Sequence, residues 1–377
     1  MEHEAFRNNA YDMIYLTKCA IHGKAPDTDR ISGMDLDGVF AVCQRHILTA
    51  CGAYALDAAG VQHPAFREER DKAVRKNILF DAERAKILKA FEAEGIWYMP
   101  LKGSLLKNWY PRLGMRQMSD NDILYDESCR AKVRDLMTGL GFDCDHFGRG
   151  KDDAYFKKPV LNFEMHYTFF EPVDPKPLYE HYSHFKEHLI KDEGNDFGYH
   201  FSNEDFYLYL IAHEYKHYIK GGTGVRSLSD SYVFLQKFGD SLDWDYLNGE
   251  LDKMGIRDYA DRSRELALKV FGSMDEPKLS TEERRFLDLF IFSGTYGTAE
   301  QDMENRLENE AGGSKVRLFF RRLFPPMENI KAWWPFFYRH KWLLPVLWFI
   351  VRPIDALVHQ RGRLRKELRF IFHKQPK

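Results

Sequence analysis

At Gly95 the chain changes its period. Upstream, apolar residues recur at helical spacing through 5–22, 35–59 and 64–94, the last with a proline in its first turn and Gly95 just past its end. Downstream, over about 75 residues, short strand-like runs alternate with helical ones. The order is a strand over 96–99, a Gly-Ser turn into a helix ending near Tyr110, a strand over 117–125 and a helix over 127–140 closed by Gly141. Two further strands follow near 154–157 and 160–167, the second with period-two alternation. Such an order predicts a small mixed β-sheet with helices packed on it. Helical spacing then returns in 204–220, 228–238, 244–254, 258–271 and 281–293. The expected class is therefore α+β, a small mixed sheet flanked by helical N- and C-terminal regions, with divisions at 1–95, 96–200, 201–314 and 315–377. The polar, glycine-punctuated stretch 294–314 reads as a linker.

Charge is distributed unevenly. The total of −2 hides a segment from Lys315 to Lys377 with fifteen Lys or Arg against three acids, a net +12, so the remainder carries −14. Five cysteines, odd in number and without a C-x-x-C pair, fit free thiols in a reducing compartment better than disulfides or a zinc knuckle. Residues 1–12 lack the basic-then-apolar order of a secretion signal. The longest apolar run, 342–351, is about half the ~20 residues that a spanning helix needs. The expectation is a cytoplasmic protein without a transmembrane segment.

The chemistry concentrates in residues 101–126. Asp120 and Asp122 lie two apart on an expected strand, so both carboxylates point to one face. Two such groups can hold Mg²⁺ or Mn²⁺, hard ions that share their shell with phosphates. A later strand places Glu164 on one face with Asn162 and His166, which makes Glu164 the candidate third carboxylate. Gly103-Ser104 opens a helix directly after a strand, an arrangement whose backbone N–H groups suit an anion. Lys102 and Arg116 add positive charge where a triphosphate would lie. Surface strands often carry a D-x-D pair, so the signal is the sequence of parts rather than the pair.

A second motif competes. His213-Glu214-Tyr215-Lys216-His217 spells H-E-x-x-H on a helix, the pattern in which two histidines hold zinc and the glutamate activates water. Lys216 sets a cation beside that ion, and Glu250 is the available third ligand. Alternatively His213, Lys216, His217 and Arg226, with His166, border a nucleotide cleft. A further alternative makes His213 a packing residue and Arg226–Asp230 an i,i+4 pair.

Residues 101–126 resemble the nucleotidyltransferases of the polymerase-β superfamily, whose signature is a Gly followed by Gly or Ser and then a strand bearing D-x-D or D-x-E. They are most similar to an uncharacterised, mainly bacterial branch, through Leu101-Lys102-Gly103, Tyr110, Arg116, Asp120 and Asp122 in order. Glu164 and His166, the helix with His213, Lys216 and His217, Arg226, Asp230, and the Trp342–Pro345 run extend the resemblance over roughly residues 75–355. This chain departs from the superfamily in a longer gap between Ser104 and Asp120 and in Asn121 between the acids. The resemblance implies transfer of a nucleoside monophosphate from an NTP to a hydroxyl, with Asp120, Asp122 and Glu164 holding Mg²⁺ or Mn²⁺ and Lys102, Gly103, Ser104 and Arg116 binding phosphates. A protein side chain, a tRNA end and a small metabolite all offer such a hydroxyl. A catalytically idle relative that only binds a nucleotide or partner is the alternative.

Beyond Lys315, aromatic residues alternate with Arg321, Arg322, Lys331 and Arg339. Three readings stay open: a core whose cations offset the acidic body, a nucleic-acid contact with bases stacked on the rings, or a membrane-surface face through Ile354, Leu357, Val358, Leu364, Leu368 and Ile371.

Overall fold

The computed structural model of the protein describes residues 2–359 except 146, 149, 299–301, 304, 306 and 308–311. Five helices come first: α1 (Glu2–His22), α2 (Thr28–Ser32), α3 (Leu36–His46), α4 (Thr49–Ala58) and α5 (Pro64–Glu94). The α5 helix closes as its sequence predicts. Gly95 adopts φ +68°, its N–H donates to Glu92 O at 3.3 Å, and the Ile96 N–H donates to Phe91 O at 3.0 Å. The helix expected over 35–59 is instead two. Ile47 takes the left-handed conformation at φ +56°, and the same pair of closing bonds runs from Ile47 to Gln44 O and from Leu48 to Cys43 O. A β-branched residue there costs about 1–3 kcal/mol. The apolar spacing continues across the break, so periodicity alone cannot reveal it.

The sheet contains β1 (Tyr98–Pro100), β2 (Asn121–Tyr125), β3 (Asp143–Cys144), β4 (Asp152–Lys157) and β5 (Leu161–His166) in the order β1-β2-β5-β4-β3. Only the β2–β5 pair is parallel, and it sets Asp122 beside Glu164 and Leu124 beside His166. Between β1 and β2 the expected helix is a single turn, α6 (Gly103–Leu106), and α7 (Arg130–Gly139) follows β2. Alternation divides the faces. Ile123, Tyr125, Phe163 and Met165 enter a core with Phe80, Ile87 and Phe91 of α5 and Val133 and Met137 of α7. Asp122, Glu164 and His166 therefore look the other way.

Helix α8 (Lys176–Ser183) and the two-residue strands β6 (Ile190–Lys191) and β7 (Tyr199–His200) were too short to show a period. They lead to α9 (Asn203–Lys220), α10 (Val225–Phe238), α11 (Trp244–Lys253), α12 (Arg257–Phe271) and α13 (Thr281–Ser293). These helices share one large core with α1, α3 and α4. Long-range contacts tie the two groups: Arg7 pairs with Asp288 at 3.0 Å, and the rings of His22 and His46 bond to Phe271 O and Ile291 O.

The described part of 294–314 is not a free linker. Thr295 N–H donates to Arg45 O, Thr298 N–H to Gly221 O at 2.8 Å, and Met303 is buried. A Cβ on Gly297 would fall 2.3 Å from Gly221 O, and one on Gly224 would fall 2.7 Å from Thr295 N. These glycines permit close backbone approach, not flexibility.

The last described helices, α14 (Lys315–Leu323), α15 (Met327–Trp333), α16 (Pro335–Arg339) and a helical run over 344–359, enclose a small core of Ile330, Leu344 and Leu347. The face expected through Leu364, Leu368 and Ile371, with Arg361, Arg363, Arg365, Lys366 and Arg369, lies outside the described residues. Among the described residues no helix is long and apolar enough to cross a membrane.

Candidate active site

The polar face of β2 and β5 forms one wall of a cavity of about 280 Å³, and α9, α10 and the 295–296 turn form the others. Asp120, Asp122 and Glu164 line the first wall; Lys102, Lys151, Lys216, Arg116 and Arg226 surround them.

Asp122 is the most constrained acid. Its Oδ2 lies 3.1 Å from Lys102 Nζ and its Oδ1 lies 3.3 Å from His166 Nε2. Burial would raise its pKa, but Lys102 and then His166 outweigh burial and hold it well below the usual carboxylate range. His166 Nδ1 faces Lys151 Nζ at 3.2 Å, so this nitrogen accepts and Nε2 donates to Asp122. Glu164 Oε2 stands 3.6 Å from the same Nε2. Asp120, just before β2, is pushed upward by burial, then by Asp122 and Glu164. The sheet wall of the cavity thus holds three acids that repel one another, a donor set suited to a hard divalent ion. Ligand atoms of Asp122, Glu164 and His166 lie within 4.8 Å of one another, which forms the group among the described residues that could hold a metal. Asp120 lines the cavity but stands outside that group. Because His166 donates to Asp122, it serves first as the partner that orients this carboxylate.

Lys102 bridges the two walls. Its Nζ also donates to His213 Nε2 at 2.9 Å. Its backbone sits at φ +33°, ψ −103°, a strained setting for a residue with a Cβ. Gly103 follows because Arg116 Nη1 and Met118 Sδ each pass 3.0 Å from where its Cβ would be. The other residues of the expected phosphate set have their bonds directed elsewhere. The buried Ser104 hydroxyl donates to Leu101 O at 2.7 Å, and the residue is not part of the cavity lining. Arg116 Nε donates to both Asp230 oxygens at 3.0 and 3.2 Å, and the Tyr110 hydroxyl donates to the same carboxylate at 2.8 Å.

On α9, His213 and His217 face the cavity with Nε2 atoms 3.2 Å apart. Burial and then the Lys102 ammonium keep His213 well below its usual pKa. The glutamate between them has another task. Glu214 Oε1 accepts from Tyr259 and Ser263 of α12 at 2.7 and 2.6 Å, and burial raises its pKa. Glu250, the third ligand that a zinc site would use, pairs with His181 and Lys253. The H-E-x-x-H spelling therefore lacks its third ligand, and one oxygen of its glutamate is committed to α12.

Arg226 and Asp230 do not form the i,i+4 pair that their spacing suggests, since Asp230 is taken by Arg116. Arg226 Nη1 is buried with no hydrogen-bond partner. Burial first and Arg116 second work against its charge. Lys216 donates to the buried Asp174 at 2.7 Å, and Lys220 pairs with the same group. Lys151, Tyr296 and Asp174 escaped the sequence reading because each sits in a loop without a period. Tyr296, 74% exposed, stands at the cavity mouth with its hydroxyl 2.7 Å from Ser119 Oγ.

A small mixed sheet with acids on adjacent parallel strands, opposed by a cluster of cations, defines the nucleotidyltransferase class. A family model described as uncharacterised nucleotidyltransferase matches residues 32–272, and the chain belongs to that family. No curated protein and no solved structure matches the chain.

Proposed function

We propose that the protein transfers a nucleoside monophosphate from an NTP to an acceptor hydroxyl in the cytoplasm and releases pyrophosphate. The observation that carries this reading is the gathering of three acids at one wall of a cavity with five cations around them, Arg226 Nη1 among these being buried and unpaired. A buried guanidinium nitrogen without a partner is costly, and a phosphate oxygen satisfies it. Mg²⁺ or Mn²⁺, held by Asp122 and Glu164 with Asp120 beside them, would supply Lewis-acid polarisation of the phosphate under attack. The protein's own groups do the rest. Arg226 and Lys151 bind the leaving phosphates, and Lys102 exchanges Asp122 for phosphate oxygens when the nucleotide enters. His166 keeps Asp122 oriented. Glu164 accepts the proton of the attacking hydroxyl, and the exposed ring of Tyr296 offers a stacking face to the base.

Thermal unfolding with each of the four NTPs, with and without Mg²⁺, tests the reading. A ligand at a hundred times its Kd adds ~2.7 kcal/mol to the state that binds it, a shift of a few degrees for a chain this long. A Mg²⁺-dependent shift with one NTP is expected. One observation favours the idle-module reading: Lys102 already neutralises Asp122. A shift that is indifferent to Mg²⁺, without pyrophosphate release, would select that reading.

The pH dependence of binding has a stated sign. Burial lowers Lys216 from 10.5 to about 8, with Asp174 opposing the shift. Between those values the unfolded chain holds the extra proton, so this group makes stability rise with pH across that window. As pH passes through about 8 the folded cavity loses a positive charge. KM for the nucleotide is expected to rise as pH passes through about 8. Lys216→Arg should remove that step in steady-state assays, and a wild-type profile that is flat from pH 7 to 9 would exclude the role.

A further inference from the structure

The helices after Lys315 bury little and expose much. Ile330, Leu344 and Leu347, with Trp334, Phe337, Tyr338, Trp348 and Val351 packed on them, make up their core. Other large apolar side chains face outward: Trp342 is 77% exposed, Val316 66%, Phe349 64%, Ile354 55% and Ile350 53%. They are not scattered. The Phe320, Phe324 and Phe349 rings form a chain with centroids 6.5 and 6.0 Å apart. Val346, Ile350 and Ile354 repeat every fourth position along the helical run over 344–359, so they share one side of it. Exposed apolar surface of this extent marks an interaction site.

Charge selects the occupant. Residues 312–359 carry eight Lys or Arg against Glu328 and Asp355, a net +6, and residues 360–377 add seven cations and one acid. A second copy of the chain would bring two like-charged faces together. A single-stranded nucleic acid would satisfy the cations and stack on the rings, but it would leave Val316, Val346, Ile350 and Ile354 in water. An anionic lipid surface satisfies both sets. Aliphatic side chains enter the acyl boundary, tryptophans such as Trp342 sit at headgroup level, and cations meet the phosphates. We propose that residues 315–359 dock the protein on the surface of an anionic bilayer, lying in the interface rather than crossing it.

The test uses the full chain and sucrose-loaded vesicles of phosphatidylcholine, either alone or with about one-third phosphatidylglycerol. Sedimentation with the anionic vesicles should exceed that with the neutral ones by at least about tenfold and weaken as salt is raised. Trp342→Ser combined with Phe349→Ser lies outside the small core, so its melting temperature should match the wild type while vesicle affinity falls about tenfold or more. The proposal is overturned if the protein ignores phosphatidylglycerol, if the double variant sediments like the wild type, or if neutral vesicles bind equally well. Oligouridylate binding that anionic vesicles do not displace, or self-association without vesicle binding, would overturn it in favour of those partners.

Discussion

Asp122→Asn is expected to reduce nucleotidyl transfer by at least ~10²–10³-fold, the scale seen when a group that stabilises transition-state charge is removed. The substitution keeps the shape and the hydrogen bond from His166 but deletes the charge that Lys102 faces and that the proposed divalent ion would need. Folding should survive, because Asp122 faces a polar cavity while its neighbours Ile123 and Tyr125 hold the core on the opposite side of β2. Two readouts separate chemistry from structure: pyrophosphate release, and the Mg²⁺-dependent part of the nucleotide-induced thermal shift. Both should be lost together. Unchanged turnover in a folded variant would remove Asp122 from the reaction.

Arg226→Met is expected to act in opposite directions on binding and stability. In the empty protein Arg226 Nη1 is buried without a partner, and the neighbouring Arg116 opposes its charge. Replacing a half-buried cation that Asp230 and Asp120 offset only in part with an apolar chain of similar length should stabilise the empty protein by about 1 kcal/mol. The affinity for the nucleotide should fall on the order of a hundredfold, since a desolvated charge partner is lost. Calorimetric titration and thermal unfolding of the same preparation check both signs. A variant that is destabilised and still binds normally would make Arg226 a structural residue.

The fold and the acids were legible because they follow local rules. Gly95 ends a 31-residue helix through a left-handed closure that the sequence announces. Period-two alternation separates the core face of β5 from the face with Glu164 and His166. What could not be read depends on partners far away in sequence, or on backbone geometry that no residue type advertises. Nothing about Ile47 marks a left-handed residue, so α3 and α4 read as one helix. Ser104 has the residue type of a phosphate binder, yet its hydroxyl closes a local turn on Leu101. Arg226 and Asp230 have the spacing of a helical pair, yet Arg116 and Tyr110 reach Asp230 across more than a hundred residues. Gly294 and Gly297 lie in a stretch that reads as a linker and prove to be points of close packing, because composition reports freedom of the backbone and not what rests against it.

The large core that joins α1, α3 and α4 to α9–α13 has a consequence for how the protein is made. Arg7 meets Asp288, and His46 meets Ile291, so the first helices, which pack on one another and on α5, gain these further partners only after well over two hundred residues have been added. At ribosomal speeds that interval is on the order of tens of seconds. During it Met13, Leu16 and Val42, fully covered in the finished molecule, have nothing to lie against from α9–α13. The nascent chain therefore emerges with part of the apolar surface of its first helices still waiting for its later half. A truncation before α13 should leave those surfaces uncovered and precipitate.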